Sequence, residues 1–280
     1  MSEIEQQIKK KIENAGVPLK DWDIRINYGI KTGYNEAFII STEKRDELVD
    51  KCPEAASIIR PILEGKHIKK YSYNNLKWLI AVRNGLTRDF VSKGESPEDT
   101  FANLYPSIYE HFISSSSKAG KGKGLFKRDD QGEFWWELRP CAYWQEFDTE
   151  KIVYSEIVRE PQFSLDCKNV YVNDTCFIMT GKNLKYILAL LNSTPVAFFY
   201  KNFYAGGGLG EEGIRYKKAF LENLPVPCVQ DIGKFEILVD KITASKQTGL
   251  STTQLELQID ELVFNLYKLQ QDEIDYIKKK

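Results

Sequence analysis

The sequence predicts a mixed α/β (α+β) fold, a twisted-sheet body followed by a C-terminal helical hairpin. Three observations predict it. Apolar stretches of strand length recur through the first 228 residues, bounded by glycine, proline and asparagine. Beyond Leu224-Pro225-Val226-Pro227 the periodicity is helical only. The 280 residues are 42% hydrophobic and 12% aromatic, enough to bury a substantial core.

The elements follow in order. Ile4, Ile8 and Ile12 recur every four residues, which predicts an amphipathic helix ended by Gly16 and Pro18. A strand around Asp23–Asn27 and a second around Ala37–Ile40 flank Gly29-Ile30-Lys31-Thr32-Gly33, read as a tight, cationic hairpin turn. Residues 42–50 are helical in pattern. Ala55–Leu63 is apolar but interrupted by Pro61, and Lys77–Val82 reads as a buried strand. Phe101–Phe112 reads as an aromatic-rich helix broken near Pro106. Ser114–Gly124 and Gly206–Gly213 read as loops.

Aromatic residues crowd Phe134–Tyr154, and strands are expected near Lys151–Tyr154 and Thr175–Met179. Asn183 is placed to cap a helix over Leu184–Leu191. Leu224–Pro227 reads as an extended linker, because each proline disfavours helix in the residue before it. After it, Ile232, Phe235, Leu238 and Ile242 mark one helix. Leu255, Ile259, Leu262, Leu266 and Leu269 mark another, with Ser251 and Gln254 as a capping box. The divisions drawn are 1–20, 21–228 and 229–280.

Composition narrows the function. No apolar run reaches membrane-spanning length, and the charged N-terminus is not a signal peptide. Five scattered cysteines with no C-x-x-C pair suit reduced thiols in the cytoplasm. Net charge is −1, yet residues 60–128 hold thirteen lysines and arginines against six acids. A basic middle with an acidic remainder allows one cationic face.

No catalytic constellation emerges. Gly208–Gly213 spells G-x-G-x-x-G, but two glutamates inside it would repel a pyrophosphate. Glu64-Gly65-Lys66 matches half of a nuclease motif, but its upstream acid, Asp50, lies in a helical pattern. His67 and His111 lack the neighbours a zinc site needs. Cationic and aromatic residues remain. Lys66-His67-Ile68-Lys69-Lys70-Tyr71 is compact, and an extended backbone would put Lys69 and Tyr71 on one face. Lysines neutralise phosphates, while forked side chains read base edges.

Several words in order carry a resemblance: GIKTGYNEAF at Gly29–Phe38, IRPILEGKHIKKY at Ile59–Tyr71, Tyr154–Ile157 with Pro161-Gln162-Phe163, YVNDTCF at Tyr171–Phe177, LLNS at Leu190–Ser193, LPVP at Leu224–Pro227 and the ending Glu261–Leu269. Together they resemble the TaqI-like C-terminal specificity domain, the target recognition region of type IIG restriction–modification enzymes and related adenine-specific DNA methyltransferases of bacteria. The resemblance implies that 1–20 is a connecting helix, 21–228 a DNA target recognition domain and 229–280 a C-terminal helical region.

It further implies a double-stranded DNA partner and a methyltransferase or nuclease core, in cis or as a separate subunit. S-adenosylmethionine and magnesium would belong to that core, and no cofactor is expected in this chain. The methyltransferase would flip its target adenine out of the stack. On this reading Lys31, Thr32, Asn35, Lys66, Lys69, Lys70 and Tyr71 are the first candidates for DNA contact. Lys118, Lys121, Lys123, Arg215 and Lys217 are the second, toward phosphate. The alternatives are a magnesium-dependent nuclease around Glu64 and Lys66, or a protein-interaction scaffold acting through the C-terminal helices.

Overall fold

The computed structural model describes residues 1–74, 77–116, 124–204 and 213–280. Its principal strands are β1 (Ile24–Tyr28), β2 (Ile39–Ile40), β3 (Ile59–Leu63), β4 (Lys77–Ile80), β5 (Lys151–Ser155), β6 (Phe163–Asp166), β7 (Tyr171–Val172) and β8 (Cys176–Gly181). They form two four-stranded sheets. The central sheet runs β6-β5-β8-β1 and is antiparallel throughout. The second runs β7-β3-β4-β2, with β7 parallel to β3 and the other pairs antiparallel.

Alternation along the central strands builds two cores, one on each face. Ile152, Tyr154, Phe177 and Met179 face the first, and Val153, Cys176 and Ile178 face the second. Burial on both faces explains why these strands read as continuous apolar runs rather than as alternating patterns. Each fully buried aliphatic or aromatic side chain contributes about 1.5–3 kcal/mol. The second core also takes Ile59, Ile62, Leu79 and Ile80 of the second sheet.

The main helices are α1 (Glu3–Ala15), α2 (Thr42–Lys51), α3 (Pro97–Leu104), α4 (Pro106–Ser116), α5 (Leu184–Leu191), α6 (Thr194–Phe199), α7 (Gly233–Gln247), α8 (Thr253–Leu266) and α9 (Gln271–Lys278). Helix α1 opens on a capping box in which Ser2 and Glu5 bond reciprocally. Its Ile8 and Ile12 are fully buried in the first core with Phe235, Val239, Ile242, Ile259 and Val263. That core therefore runs through the change of pattern at residue 228.

Several expectations are corrected. Leu224–Pro227 is not a free linker: Pro225 and Val226 pair antiparallel with Pro18 and Val17, which fastens the C-terminal part to the N-terminal helix. A Cβ on Gly16 would lie 2.5 Å from the Val226 carbonyl carbon, so the close approach requires glycine there. Beyond the two C-terminal helices that the spacing predicts, the region carries a third, α9. Asn183 stands at the start of α5 with left-handed backbone and makes no side-chain capping bond. At α8 the capping residue is Thr252, whose hydroxyl donates to Glu256. No helix among the described residues is long and apolar enough to cross a membrane.

Candidate nucleic-acid interface

The glycine turn is not a hairpin. β1 belongs to the central sheet and β2 to the second, so Gly29–Gly33 carries the chain from one sheet to the other. The Gly29 amide donates to the Cys176 carbonyl at 2.9 Å, and the Ile30 amide donates to that of Val172 at 2.7 Å. A Cβ on Gly29 would sit 1.9 Å from the Asn173 carbonyl oxygen, a clash no small movement relieves. Gly33 holds the left-handed conformation, φ +69°.

Thr32, expected to face DNA, is 1% exposed. Its hydroxyl donates to Asn35 Oδ1 at 2.5 Å and accepts from the Tyr34 amide at 3.1 Å. It braces the turn from inside. Arg128, one of the cations of the basic middle, is also buried. Its guanidinium donates to the carbonyls of Thr32 (2.9 Å), Leu125 (3.1 Å), Trp135 and Glu137, over the Phe38 ring. Burial pulls its pKa down to about 10, opposed by the Asp130 charge, so it stays protonated at neutral pH.

Lys31 remains at the surface, and Asp130 fixes it. Asp130 Oδ2 lies 3.1 Å from Lys31 Nζ, and Oδ1 lies 3.2 Å from Arg139 Nη1. The carboxylate is recessed, 14% exposed, while the side chains of Lys31 and Arg139 are 51% and 54% exposed. The three groups carry one net positive charge, with both cations projecting. They edge a groove of about 540 Å³ lined by Tyr28, Gly29, Ile30, Lys31, Leu138–Trp144 and Asp174. A second groove, about 600 Å³, shares Pro140, Cys141, Ala142 and Trp144 with the first and continues to Arg83, Asn84 and Gln145. The half-exposed Tyr28 ring stands against buried Phe177. Trp144 meets Tyr171 edge-on, so Tyr28 and Trp144 each rest on a buried core residue.

The second groove is also held from beneath. Glu137, fully buried, accepts from the amides of Gly85 and Thr87 at 3.0 Å each. Trp136 Nε1 donates to the Thr87 hydroxyl at 2.8 Å. The aromatic block Phe134–Tyr154 thus supplies support and, at Tyr143 and Trp144, groove wall. Sequence reasoning passed over Arg139. Its place inside that aromatic block, an arginine among tryptophans and tyrosines, is the pattern that marks it.

The other candidates divide. The ends of β1, β5 and β8 nearest Tyr28, Ser155 and Cys176 lie together by register. Three cations gather at this end. Lys31 follows β1. Lys66 follows Gly65, whose Cβ would touch Ser155 Oγ at 2.6 Å. Arg215 pairs across from Ile157, just beyond β5. Each is in an ion pair, Lys66 with Glu64 and Arg215 with Glu156, both at 2.8 Å. Asn35 is exposed, and Lys217 lies over the Phe220 ring.

Lys69, exposed, makes no ion pair among the described residues. The extended reading of Lys69 and Tyr71 is corrected: Ile68–Lys69 and Ser72–Tyr73 form a small hairpin, and Tyr71 sits at its turn with φ +61°. Tyr71 is 2% exposed, inside the first core, and cannot stack on a base. Lys70 turns to Glu256 of α8 at 2.7 Å. Lys118, Lys121 and Lys123 lie outside the described residues.

The nuclease half-motif is occupied differently. Glu64 accepts from Lys66 and Lys77, each at 2.8 Å. Burial raises its pKa, but the two lysine hydrogen bonds outweigh burial and hold it below the usual carboxylate range. Asp50 lies on α2. Among the described residues no three His, Cys, Asp or Glu side chains are grouped to hold a metal ion. His67 Nδ1 accepts from the Glu64 amide, and His111 Nε2 meets the Ala37 carbonyl, so both serve the fold.

A family model described as the TaqI-like C-terminal specificity domain matches residues 60–226, more than half of the chain. No curated protein matches the sequence. Among solved structures, the fold is similar to the type IIL restriction-modification enzyme MmeI in complex with DNA. The TM-score is 0.62 at 15% identity, over 94% of this chain and 36% of that one. It is also similar to the type IIG restriction endonuclease BpuSI, with a TM-score of 0.53 at 14% identity, over 95% of this chain and 34% of that one. The chain thus spans about a third of the length of each.

Proposed function

The chain belongs to the TaqI-like C-terminal specificity domains, which are DNA recognition modules, and from that premise we propose that it reads duplex DNA through the paired grooves. In doing so it directs an adenine methyltransferase, an endonuclease or both to their site. One observation carries the reading: Lys31, Arg139 and Arg83 line two adjoining grooves together with Tyr28, Tyr143 and Trp144. Charged forks and amides such as Asn84 and Gln145 suit base edges and phosphates, and the aromatic walls suit sugar and base faces.

Chemistry stays with a core, in cis or as a separate subunit, which would hold S-adenosylmethionine and magnesium. Work on DNA puts the assembly in the cytoplasm. The nuclease alternative needs Glu64 free for a metal, whereas two lysines occupy it. The scaffold alternative needs an apolar helical seam, whereas Ile259, Val263 and Phe264 of α8 are buried in the chain's own core.

The test is selection from a random duplex library, with the chain alone and with an added methyltransferase core. A shared enriched motif is expected. No enrichment in either case would remove the reading.

A further inference from the structure

We propose that Arg139 is a base-reading residue that selects guanine, and that Asp130 positions it. The inference rests on the DNA-reading function above. Three features separate Arg139 from an ordinary phosphate contact. It lines the groove between Leu138 and Pro140, beside Tyr143 and Trp144. Among the described residues its guanidinium is tied at one nitrogen only, Nη1 to Asp130 at 3.2 Å, and the side chain is still 54% exposed. Donors therefore remain for the paired N7 and O6 acceptors of guanine in the major groove, the fork geometry that arginine matches best.

Asp130 is built to hold it. Its second oxygen is taken by Lys31 at 3.1 Å, so the carboxylate cannot swing away without breaking two ion pairs. Gly33 closes the space behind: a Cβ there would come within 3.0 Å of Asp130 Cβ. Asp130 is a positioning residue. It limits the rotamers Arg139 must give up on binding, which is how a supporting carboxylate sharpens a fork. Asp174, the one carboxylate among the lining residues of this groove, leaves the Lys31–Arg139 side cationic.

The experiment repeats the duplex selection with Arg139→Ala, Arg139→Lys and Asp130→Asn, each first checked for an unchanged melting transition. Arg139→Lys is decisive, because it keeps the charge and loses the fork. The expected result is a motif that keeps its other positions but loses one guanine, with discrimination there falling roughly tenfold to a hundredfold. Asp130→Asn is expected to weaken the same position less. An unchanged motif with uniformly weaker binding in Arg139→Ala would make Arg139 a phosphate contact and overturn the proposal while leaving the DNA-reading function intact. Absence of any motif with the wild-type chain, alone and with the core, would overturn both.

Discussion

Buried Arg128 donates from Nε to the Thr32 carbonyl at 2.9 Å, joining residues 96 apart in sequence. Its other donors reach Leu125, Trp135 and Glu137, so one side chain ties the glycine turn to both the segment before the aromatic block and the block itself. The groove walls are made of those segments. Replacing Arg128 by Ala leaves four carbonyls without this donor and is expected to cost about 3 kcal/mol or more. Arg128→Lys should rescue little, since one ammonium cannot span the same carbonyls. Urea denaturation measures both.

Gly29→Ala is expected to be more damaging than its size suggests. The added methyl would sit 1.9 Å from the Asn173 oxygen, backbone against backbone. A loss of about 3 kcal/mol, or failure to fold, should appear in thermal melts. Gly94→Ala should cost far less: φ is positive there, unlike at Gly29, but nothing lies within 4 Å of the added carbon.

Lys69 and Lys70 should separate. Lys69 is exposed and unpaired among the described residues, so Lys69→Ala should leave stability unchanged and reduce the salt slope of DNA binding by about one. Lys70 is committed to Glu256. Lys70→Ala should cost about 0.5–1 kcal/mol of stability and leave the salt slope as it was.

Glu256 supplies a pH dependence. Burial raises its pKa, but hydrogen bonds from Lys70 and Thr252 and the charges of Lys70 and Lys246 outweigh burial and hold it below 4.5. A depressed carboxyl stabilises the fold above its unfolded pKa and loses that contribution as pH falls through the folded one. Glu256→Gln should therefore be less stable than the parent near pH 7, by about 1 kcal/mol, and the difference should shrink as pH falls through the lowered pKa of the folded carboxyl. Asp260, one turn on, has the opposite sign: burial raises its pKa against the Thr194 hydrogen bonds, so its ionisation costs stability. Denaturation of Glu256→Gln and of Asp260→Asn across pH separates the two.

The buried pair Lys151–Asp166, 2.6 Å apart and fully enclosed, is saturated by the Phe147 carbonyl on one side and by Tyr73 Oη and the Val170 amide on the other. Lys151→Met should cost about 3–5 kcal/mol, because it strands a buried carboxylate. Calorimetry of the variant checks this.

Local pattern was enough for some elements and not for others. Helix α5 falls on Leu184–Leu191 because its apolar spacing and start are local. Strand β4 was legible in Lys77–Val82 for the same reason. In sequence the glycine turn resembles a hairpin because its flanks look like partners. Their true partners, β8 for β1 and β4 for β2, lie far along the chain. Local pattern puts Tyr71 on an extended face, but a non-glycine residue at φ +61° is set by tertiary packing that no propensity encodes. Arg128 looked like surface charge, and only the four carbonyls converging on it reveal its role. Lys31 and Asn35 kept their exposed positions, while Arg139 gained its meaning only through Asp130.

Bound DNA should cover the Lys31–Arg139 groove. Lysine acetylation footprinting, with and without a duplex bearing the selected motif, measures this. Lys31 should be protected several-fold, while Lys44 and Lys51, on α2 and paired with Glu47, should react unchanged. Full binding of the duplex with Lys31 modified as fast as in the free chain would mean that DNA does not lie in this groove.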